Sequence, residues 1–167
     1  PRSPYSASKA GSDLIASAYF HTYGLPVMIT RCTNNFGPFQ YPEKAIPLFT
    51  TNLMRGERIP LYGDGLHQRD WLFVDDHCTG VSVVLDRGQP GEIYNIGAGN
   101  ETRNVDLVRM LLEILDLGED RIEFVEDRPG HDRRYSVNTS KITALGWSRN
   151  YSIADSLAET VSWYGKN

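Results

Sequence analysis

Apolar residues recur at three- and four-residue spacing through VDLVRMLLEILDL, residues 105–117. This pattern predicts an amphipathic helix started by Asn104 or Thr102 and stopped at Gly118. TSKITALGW and IADSLAETVSWY carry the same period over shorter spans. Near the start, Ser6 or Ser8 can cap a helix that continues through AGSDLIASAYFHTY to Gly24. Pro26 then precedes VMITRC, an apolar, β-branched run that reads as a buried strand. Pro47 sits near the beginning of a helix through LFTTNLM that Gly56 stops, and residues 59–62, 71–74, 92–96 and 122–125 read as strands. Gly63-Asp64-Gly65 marks a turn, and Asp75 or Asp76 is expected to cap the helix HCTGVSVVLDRG. Between the strand ending at Cys32 and the helix near Pro47 lies TNNFGPFQYPEK, residues 33–44, too long and too polar for a simple connection; loops of this kind carry function. Strands alternate with helices throughout, so the fold class is α/β, with no internal repeat.

The composition narrows the partners. A net charge of −4, with 40% apolar and 23% charged residues, suits a soluble globular chain; it points to neither nucleic acid nor a membrane surface as partner. Cys32 and Cys78 form no CxxC pattern and no disulfide framework, which fits a reducing cytoplasm, and no signal peptide or membrane-spanning run is present. The chain opens on Pro1 with a functional-looking segment almost at once. It reads as a piece of a longer protein.

Four segments carry candidate chemistry. Tyr5 and Lys9 form Y-x-x-x-K within SPYSASK, and residues four apart share a helix face. An ammonium beside a phenol favours the phenolate, a base usable toward an alcohol near neutral pH. Such a pair also arises by chance on a solvated helix. Asn34-Asn35-Phe36-Gly37-Pro38 offers amide donors and acceptors on a turn, and Lys44 supplies a point charge suited to phosphate. The bland alternative there is an Asx turn with a surface lysine. Arg128, Arg133 and Arg134 could be a solvated cluster paired with Asp127 and Asp132, and His131 has no second His or Cys at metal-ligand spacing. Asp75-Asp76-His77 sits where a helix needs a cap, and Trp71, Trp147 and Trp163 read as packing. GAGN, residues 97–100, lacks the spacing of a dinucleotide fingerprint and reads as a turn.

These segments, in this order, resemble the dTDP-glucose 4,6-dehydratase family, which is of the extended short-chain dehydrogenase type. The resemblance rests on SPYSASK, NNFGPFQYPEKAIP, PLYGDGLHQRDWLFVDDHCTG, GEIYNIGAGNETRNVDLV and DRPGHDRRYSVNTSKI, and it runs nearly the length of the chain. It implies the C-terminal part of a Rossmann-type enzyme: residues 1–35 close the Rossmann domain with the Tyr-Lys helix, and residues 36–167 form mainly the sugar-nucleotide-binding lobe. It further implies Tyr5 and Lys9 as catalytic base and partner, with both residues and Asn35 at the NAD cofactor. Asn34, Glu43 and Lys44 would face the sugar nucleotide, and Pro60, Leu61 and Tyr62 would line the nucleobase pocket. Arg69, Asn104, Arg128 and His131 would hold the nucleotide and its diphosphate. Asp127, Pro129, Gly130 and Tyr135 would close that site. No metal is implied.

The family reaction converts dTDP-glucose to a 4-keto-6-deoxy sugar, with an Asp-Glu pair upstream for the elimination. The resemblance also implies a homodimer in the full-length enzyme and a missing N-terminal Rossmann half. The chain alone is accordingly expected to be inactive and either to self-associate or to be only marginally stable. Two alternatives stand beside this reading: another NAD-dependent sugar-nucleotide epimerase or decarboxylase, and a non-catalytic module that keeps only the nucleotide pocket.

Overall fold

The computed structural model describes Pro1 and residues 3–167. Helix α1 (Pro4–Tyr23) leads into strands β1 (Ile29–Cys32) and β2 (Asn34–Phe36), helix α2 (Ala45–Met54), and strands β3 (Ile59–Tyr62) and β4 (Gln68–Phe73). Helix α3 (Val74–Arg87), strands β5 (Ile93–Ile96) and β6 (Glu101–Arg103) and helix α4 (Asn104–Ile114) follow. A 3-10 turn (Glu119–Arg121), strand β7 (Ile122–Val125) and helices α5 (Ser140–Ala144) and α6 (Ile153–Lys166) complete the chain. The strands form three small sheets: β1 parallel to β5, β3 parallel to β7, and β4 flanked by parallel β2 and antiparallel β6. The expected α/β class holds.

Strand β4 is the hinge of the packing because its alternating side chains feed two cores. Trp71 and Phe73 join Phe36, Leu61, Leu107, Leu111 and Leu157 in the larger core, between β3, α2, α4 and α6. Leu72 points the other way, into a second core with Val84, Tyr94, Ile96, Ile142 and Trp147. The periodicity of α4 does what its sequence predicts: Val105, Leu107, Val108, Leu111 and Leu112 are all buried. Each such side chain contributes roughly 1.5–3 kcal/mol when fully buried.

Several boundaries differ from expectation, each for a visible reason. Helix α1 is capped by Ser3, not Ser6 or Ser8: the Ser3 hydroxyl accepts from the Ser6 N–H at 3.1 Å, with Pro4 opening the first turn. The polar stretch 33–44 is not wholly loop, since residues 34–36 are held as a strand by pairing with 71–73. In the same way β6, hidden in the polar run after GAGN, is held by pairing with 68–70. Neither Asp75 nor Asp76 caps α3; the cap position is Phe73, and both carboxylates lie in the first turn. Asp76 is buried and accepts backbone N–H bonds from Asn150 (2.7 Å) and Tyr151 (3.2 Å), so it fastens the last connection to α3. GAGN is shaped by another carboxylate: buried Asp70 accepts from the N–H groups of Gly99 (3.2 Å) and Asn100 (3.0 Å).

Helix α1 stands apart. It has no buried residue, and Leu14 and Ile15 are 71% and 63% exposed, with Ala18 and Tyr19 exposed beside them.

The turn joining β3 to β4 gives a test of the core. Gly65 has φ +71°, and an added Cβ would lie 2.7 Å from Leu61 Cδ2 and 3.1 Å from Val105 Cβ. Gly56 has a similar φ of +75° but open space around it. Gly56→Ala is expected to cost about 1–2 kcal/mol from backbone strain alone, and Gly65→Ala a further 1–3 kcal/mol from overpacking. Urea unfolding of both variants measures the difference; equal losses would show that the Leu61–Val105 contact yields freely.

Candidate functional site

The face of β4 that carries Trp71 also carries Arg69, two residues before it. Parallel pairing sets Asn34 of β2 directly beside Trp71. The chain leaves β4's partner β6 straight into α4, so Asn104 begins that helix at the same end; its N–H donates to His67 O at 2.9 Å. Strand β3 brings Pro60, Leu61 and Tyr62 to the opposite wall, and the approach to α2 brings Glu43 and Lys44. Together with Arg128 and His131 these residues line one cavity of about 360 Å³. Ten of the predicted substrate-binding residues thus converge: Asn34, Glu43, Lys44, Pro60, Leu61, Tyr62, Arg69, Asn104, Arg128 and His131. Ala45, Leu48, Phe49 and Trp71 complete the lining. The sequence offered no cue to the first three beyond their place in α2, and it suggested only packing for Trp71. The indole does both jobs, since it belongs to the larger core as well as to the cavity wall.

Arg69 dominates the electrostatics. It is 4% exposed, and among the described residues it forms no ion pair with a carboxylate. Its guanidinium instead donates to the carbonyls of Gln68 (2.7 Å) and Asp132 (2.7 Å) and to His131 Nε2 (2.8 Å), and it lies 4.4 Å above the Tyr135 ring. Burial pulls its pKa down from the usual guanidinium value; Tyr135 and Asp132 oppose that pull, and the charge of Arg128 adds to it. An arginine nevertheless stays protonated. Two guanidinium groups that repel each other across one cavity suit an anionic guest, above all a phosphate.

The other arginines of the DRPGHDRR run separate cleanly. Arg133 makes a two-pronged pair with Asp64 at 2.7 Å per contact, and Arg134 pairs with Glu101 at 2.5 and 2.6 Å. Among the described residues Arg128 makes no ion pair and lines the cavity. The cluster reading therefore holds for two arginines and fails for the third, and the carboxylates used are Asp64 and Glu101, not Asp127 and Asp132.

Asp127 works with two histidines. It accepts from His131 Nδ1 at 2.7 Å and faces His67 Nε2 at 3.0 Å, and the two rings stack at 4.1 Å and 19°. Sequence spacing hid this neighbourhood, because His67 lies on the far side of the chain from the DRPGH segment. His67, Asp127 and His131 have the composition of a metal-ligand group. Their geometry favours hydrogen bonding: each carboxylate oxygen serves one ring nitrogen, and the fixed positive charge of Arg69 sits on His131 Nε2. Burial raises the Asp127 pKa, but the bonds from His131 and the Arg128 N–H outweigh it and hold the carboxyl below the usual range. Pro129 and Gly130 are exposed and lie outside the cavity lining, and Asp127 meets the site through His131 and the Arg128 N–H.

Tyr5 and Lys9 lie one turn apart on α1 and open onto a wide groove along β1. Tyr5 also borders a smaller cavity of about 300 Å³ with Thr33, Asn34 and Tyr135. Asn34 lines both this cavity and the larger one, so the two are neighbours across one side chain. Asn35, next along β2, turns to the other side: its Nδ2 donates to His77 Nδ1 (3.1 Å) and Cys32 Sγ (3.2 Å), and its buried Oδ1 has no partner. Burial lowers the pKa of His77, so the ring stays neutral and Nδ1 can accept. His77 thus gains a role at this layer that its sequence context did not suggest.

The family model for GDP-mannose 4,6 dehydratase matches residues 1–160. The chain belongs to that family. Within it, the chain is 52% identical over its whole length to a dTDP-glucose 4,6-dehydratase of Streptomyces niveus, covering 50% of that protein. It is 49% identical to the low-salt glycan biosynthesis protein Agl12 of Haloferax volcanii, with 98% of this chain and 53% of that protein covered. Among solved structures, the dTDP-glucose 4,6-dehydratase DesIV of Streptomyces venezuelae, crystallised with NAD bound, superposes with a TM-score of 0.97 at 55% identity. That match covers all of this chain and 52% of DesIV. A UDP-glucuronic acid 4-epimerase of Bacillus cereus superposes at 0.95 with only 25% identity, covering 99% of this chain and 54% of the epimerase. The chain spans about half the length of the family relatives it matches. No described helix is long and apolar enough to cross a membrane.

Buried His67 and half-buried His77 predict a pH dependence of stability. Burial and the neighbouring His131 lower the pKa of His67 from its ordinary 6.5, against the pull of Asp127, and burial does the same to His77. With folded values below unfolded ones, the unfolded chain binds these protons first as the pH falls. Stability is complete above about 6.5 and is lost as the pH drops through that value toward the lower folded ones. Thermal-unfolding midpoints from about pH 8 to about pH 5 are expected to show this fall, with a shallower slope for His77→Gln. A slope unchanged by that substitution would place the proton uptake elsewhere.

Proposed function

We propose that this chain is the C-terminal, sugar-nucleotide-binding half of an NAD-dependent dTDP-glucose 4,6-dehydratase. The observation that carries the reading is Arg69, a buried guanidinium without a carboxylate partner among the described residues, facing a cavity it shares with Arg128. A diphosphate meets that need, and Pro60, Leu61 and Tyr62 offer a partly apolar wall for a nucleobase. The cavity's border with the Tyr5 cavity, through Asn34, lets one ligand hold its phosphates at Arg69 and present its hexose to the phenol. The identity of 52–55% to dTDP-glucose dehydratases, against 25% to the epimerase, favours dehydration within a fold that both share.

In this reading Tyr5 takes the proton of the sugar's 4-hydroxyl as C4 is oxidised, and Lys9 stabilises the phenolate from one turn away. The 4-ketone acidifies the C5 proton, which permits loss of the 6-hydroxyl as water. Carboxylates outside this chain would assist that elimination. NAD, when bound, would supply the oxidising power for C4 and the reducing power for C6, and with a proton returned to C5 the overall reaction would be redox-neutral. Asn35 suits a place beside the cofactor, for its buried Oδ1 lacks a donor and its amide is fixed by His77. The chain has no glycine fingerprint of its own, so the reading requires the other half of the relatives' length to supply the dinucleotide fold.

Two surfaces fit that requirement. The β1–β5 pair has both outer edges unpaired among the described residues, as a fragment of a larger parallel sheet would. The apolar row Leu14, Ile15, Ala18 and Tyr19 would be covered by that sheet and by a second subunit in a homodimer. A cytoplasmic setting agrees with two free, exposed cysteines.

The test uses the complete enzyme. Tyr5→Phe is expected to lower kcat by at least about 100-fold while thymidine diphosphate affinity stays within about twofold. Normal turnover by that variant would remove Tyr5 from the chemistry. Arg128→Ala should cost about 1.5–3 kcal/mol of thymidine diphosphate binding, measured by calorimetry, and Arg134→Ala close to none. Equal affinities of the two variants would return Arg128 to the solvated cluster.

A further inference from the structure

We infer that His67 is a positioning residue for the nucleotide's diphosphate, acting through Asp127 and His131 on Arg69; this rests on the nucleotide reading of the cavity. His67 is 3% exposed and does not line the cavity, so it reaches a ligand only through other side chains. Its Nδ1 is buried without a partner, while its Nε2 lies 3.0 Å from Asp127 Oδ2. The neutral ring therefore carries its proton on Nε2 and donates it to the carboxylate.

That bond occupies one oxygen of Asp127 and fixes the plane of the carboxylate. The other oxygen accepts from His131 Nδ1 at 2.7 Å. With its proton committed there, His131 keeps a lone pair on Nε2, which accepts from Arg69 at 2.8 Å. The stacked rings hold the two imidazoles parallel at 4.1 Å and leave the second little room to turn. Each link fixes the position of the next: His67 holds Asp127, Asp127 holds His131, and His131 holds Arg69. The charged groups facing His67 are Asp127, which would attract a second ring proton, and Arg69 and Arg133, which would oppose one along with His131. The balance keeps the ring neutral and the chain of bonds in one sense.

Removing the His67 donor would leave a carboxylate oxygen unmatched and free Asp127 to turn, which would loosen the position of the His131 ring and with it the seating of Arg69. The backbone around His67 would stay in place, because its carbonyl still accepts from Asn104. The loss should therefore appear in substrate binding and spare the chemistry at Tyr5.

The experiment is steady-state kinetics on the complete enzyme with dTDP-glucose, together with thymidine diphosphate calorimetry. His67→Phe keeps a flat ring and deletes the donor; its KM is expected to rise roughly tenfold, the effect of one charge-assisted hydrogen bond, with kcat within about twofold. His67→Gln, whose amide N–H can reach the same carboxylate, should return KM to within about threefold of the unmodified enzyme. A KM unchanged in His67→Phe overturns the inference. So does an equal loss in His67→Gln, which would assign the effect to packing of the imidazole. The unmodified enzyme gives the separate check. If it fails to bind thymidine diphosphate, the nucleotide reading falls and this role falls with it; if it binds and His67→Phe binds equally well, only the role of His67 falls.

Discussion

A guanidinium taken out of water and given no carboxylate is costly, and the site is arranged around that cost. Arg69 is placed by strand alternation on the face that also carries Trp71 and Phe73, so its position is set by the same packing that fills the larger core. Its donors are met by carbonyls of Gln68 and Asp132, an imidazole nitrogen and an aromatic face. These partners satisfy hydrogen bonds without cancelling charge. The uncancelled part points into the cavity, where Arg128 adds to it. A protein gains nothing in stability from such an arrangement, because an apolar residue of similar size would pack at lower cost. Under the proposed function it gains a pre-formed seat for a diphosphate, with most of the ordering done before the ligand arrives.

How much of this could be read from the sequence depends on the range of the interaction that decides each feature. Strands β3 and β7 appear at the predicted residues because short β-branched and aromatic runs between turn residues are a local signal. Strand β2 was invisible because Asn34 and Asn35 have poor strand propensity; only pairing with Trp71 and Leu72 holds them extended. Strand β6 is polar for the same reason and depends on Gln68–Asp70. Asp76 was placed near the right helix but given the wrong work, since its partners Asn150 and Tyr151 arrive from the far end of the chain. Most of the candidate site was legible as motif, ten of its residues lining one cavity, whereas His67 and Trp71 were not. Their roles follow from contacts between segments that no spacing rule connects.

The DRPGHDRR segment shows why charge runs resist interpretation until they are folded. Three arginines of similar sequence context have three different fates. Arg133 and Arg134 find Asp64 of the β3–β4 turn and Glu101 of β6, both distant in sequence, and each pair is of small energetic weight. These pairs fasten the segment over β4, helped by the backbone bonds between Gln68 and residues 133 and 135. Arg128 lies before that anchored stretch, across the Gly130 turn, and keeps its charge free for the cavity. The acid composition of the run would have suggested local neutralisation. The fold spends Asp127 on two histidines and Asp132 on the Tyr135 hydroxyl instead, and both choices support the surroundings of Arg69.

The Asn34-Asn35 pair then explains how two chemistries could be kept in register. Adjacent residues on a strand point to opposite faces, so one dipeptide can serve two compartments at a fixed separation. Asn34 looks toward the Arg69 cavity and the border with Tyr5, while Asn35 is clamped by His77 and Cys32 on the other face. Both are held by the same ladder to β4, the strand that also carries Arg69. A slip of one residue in that ladder would exchange the two amides and move Phe36 out of the core, where it packs against Trp71 and Phe73. The hydrophobic packing of Phe36 therefore fixes which asparagine faces which compartment. Core packing and site geometry are a single constraint at this point, and a change that preserves every polar residue but loosens Phe36 would disturb the site as surely as a change to the asparagines themselves.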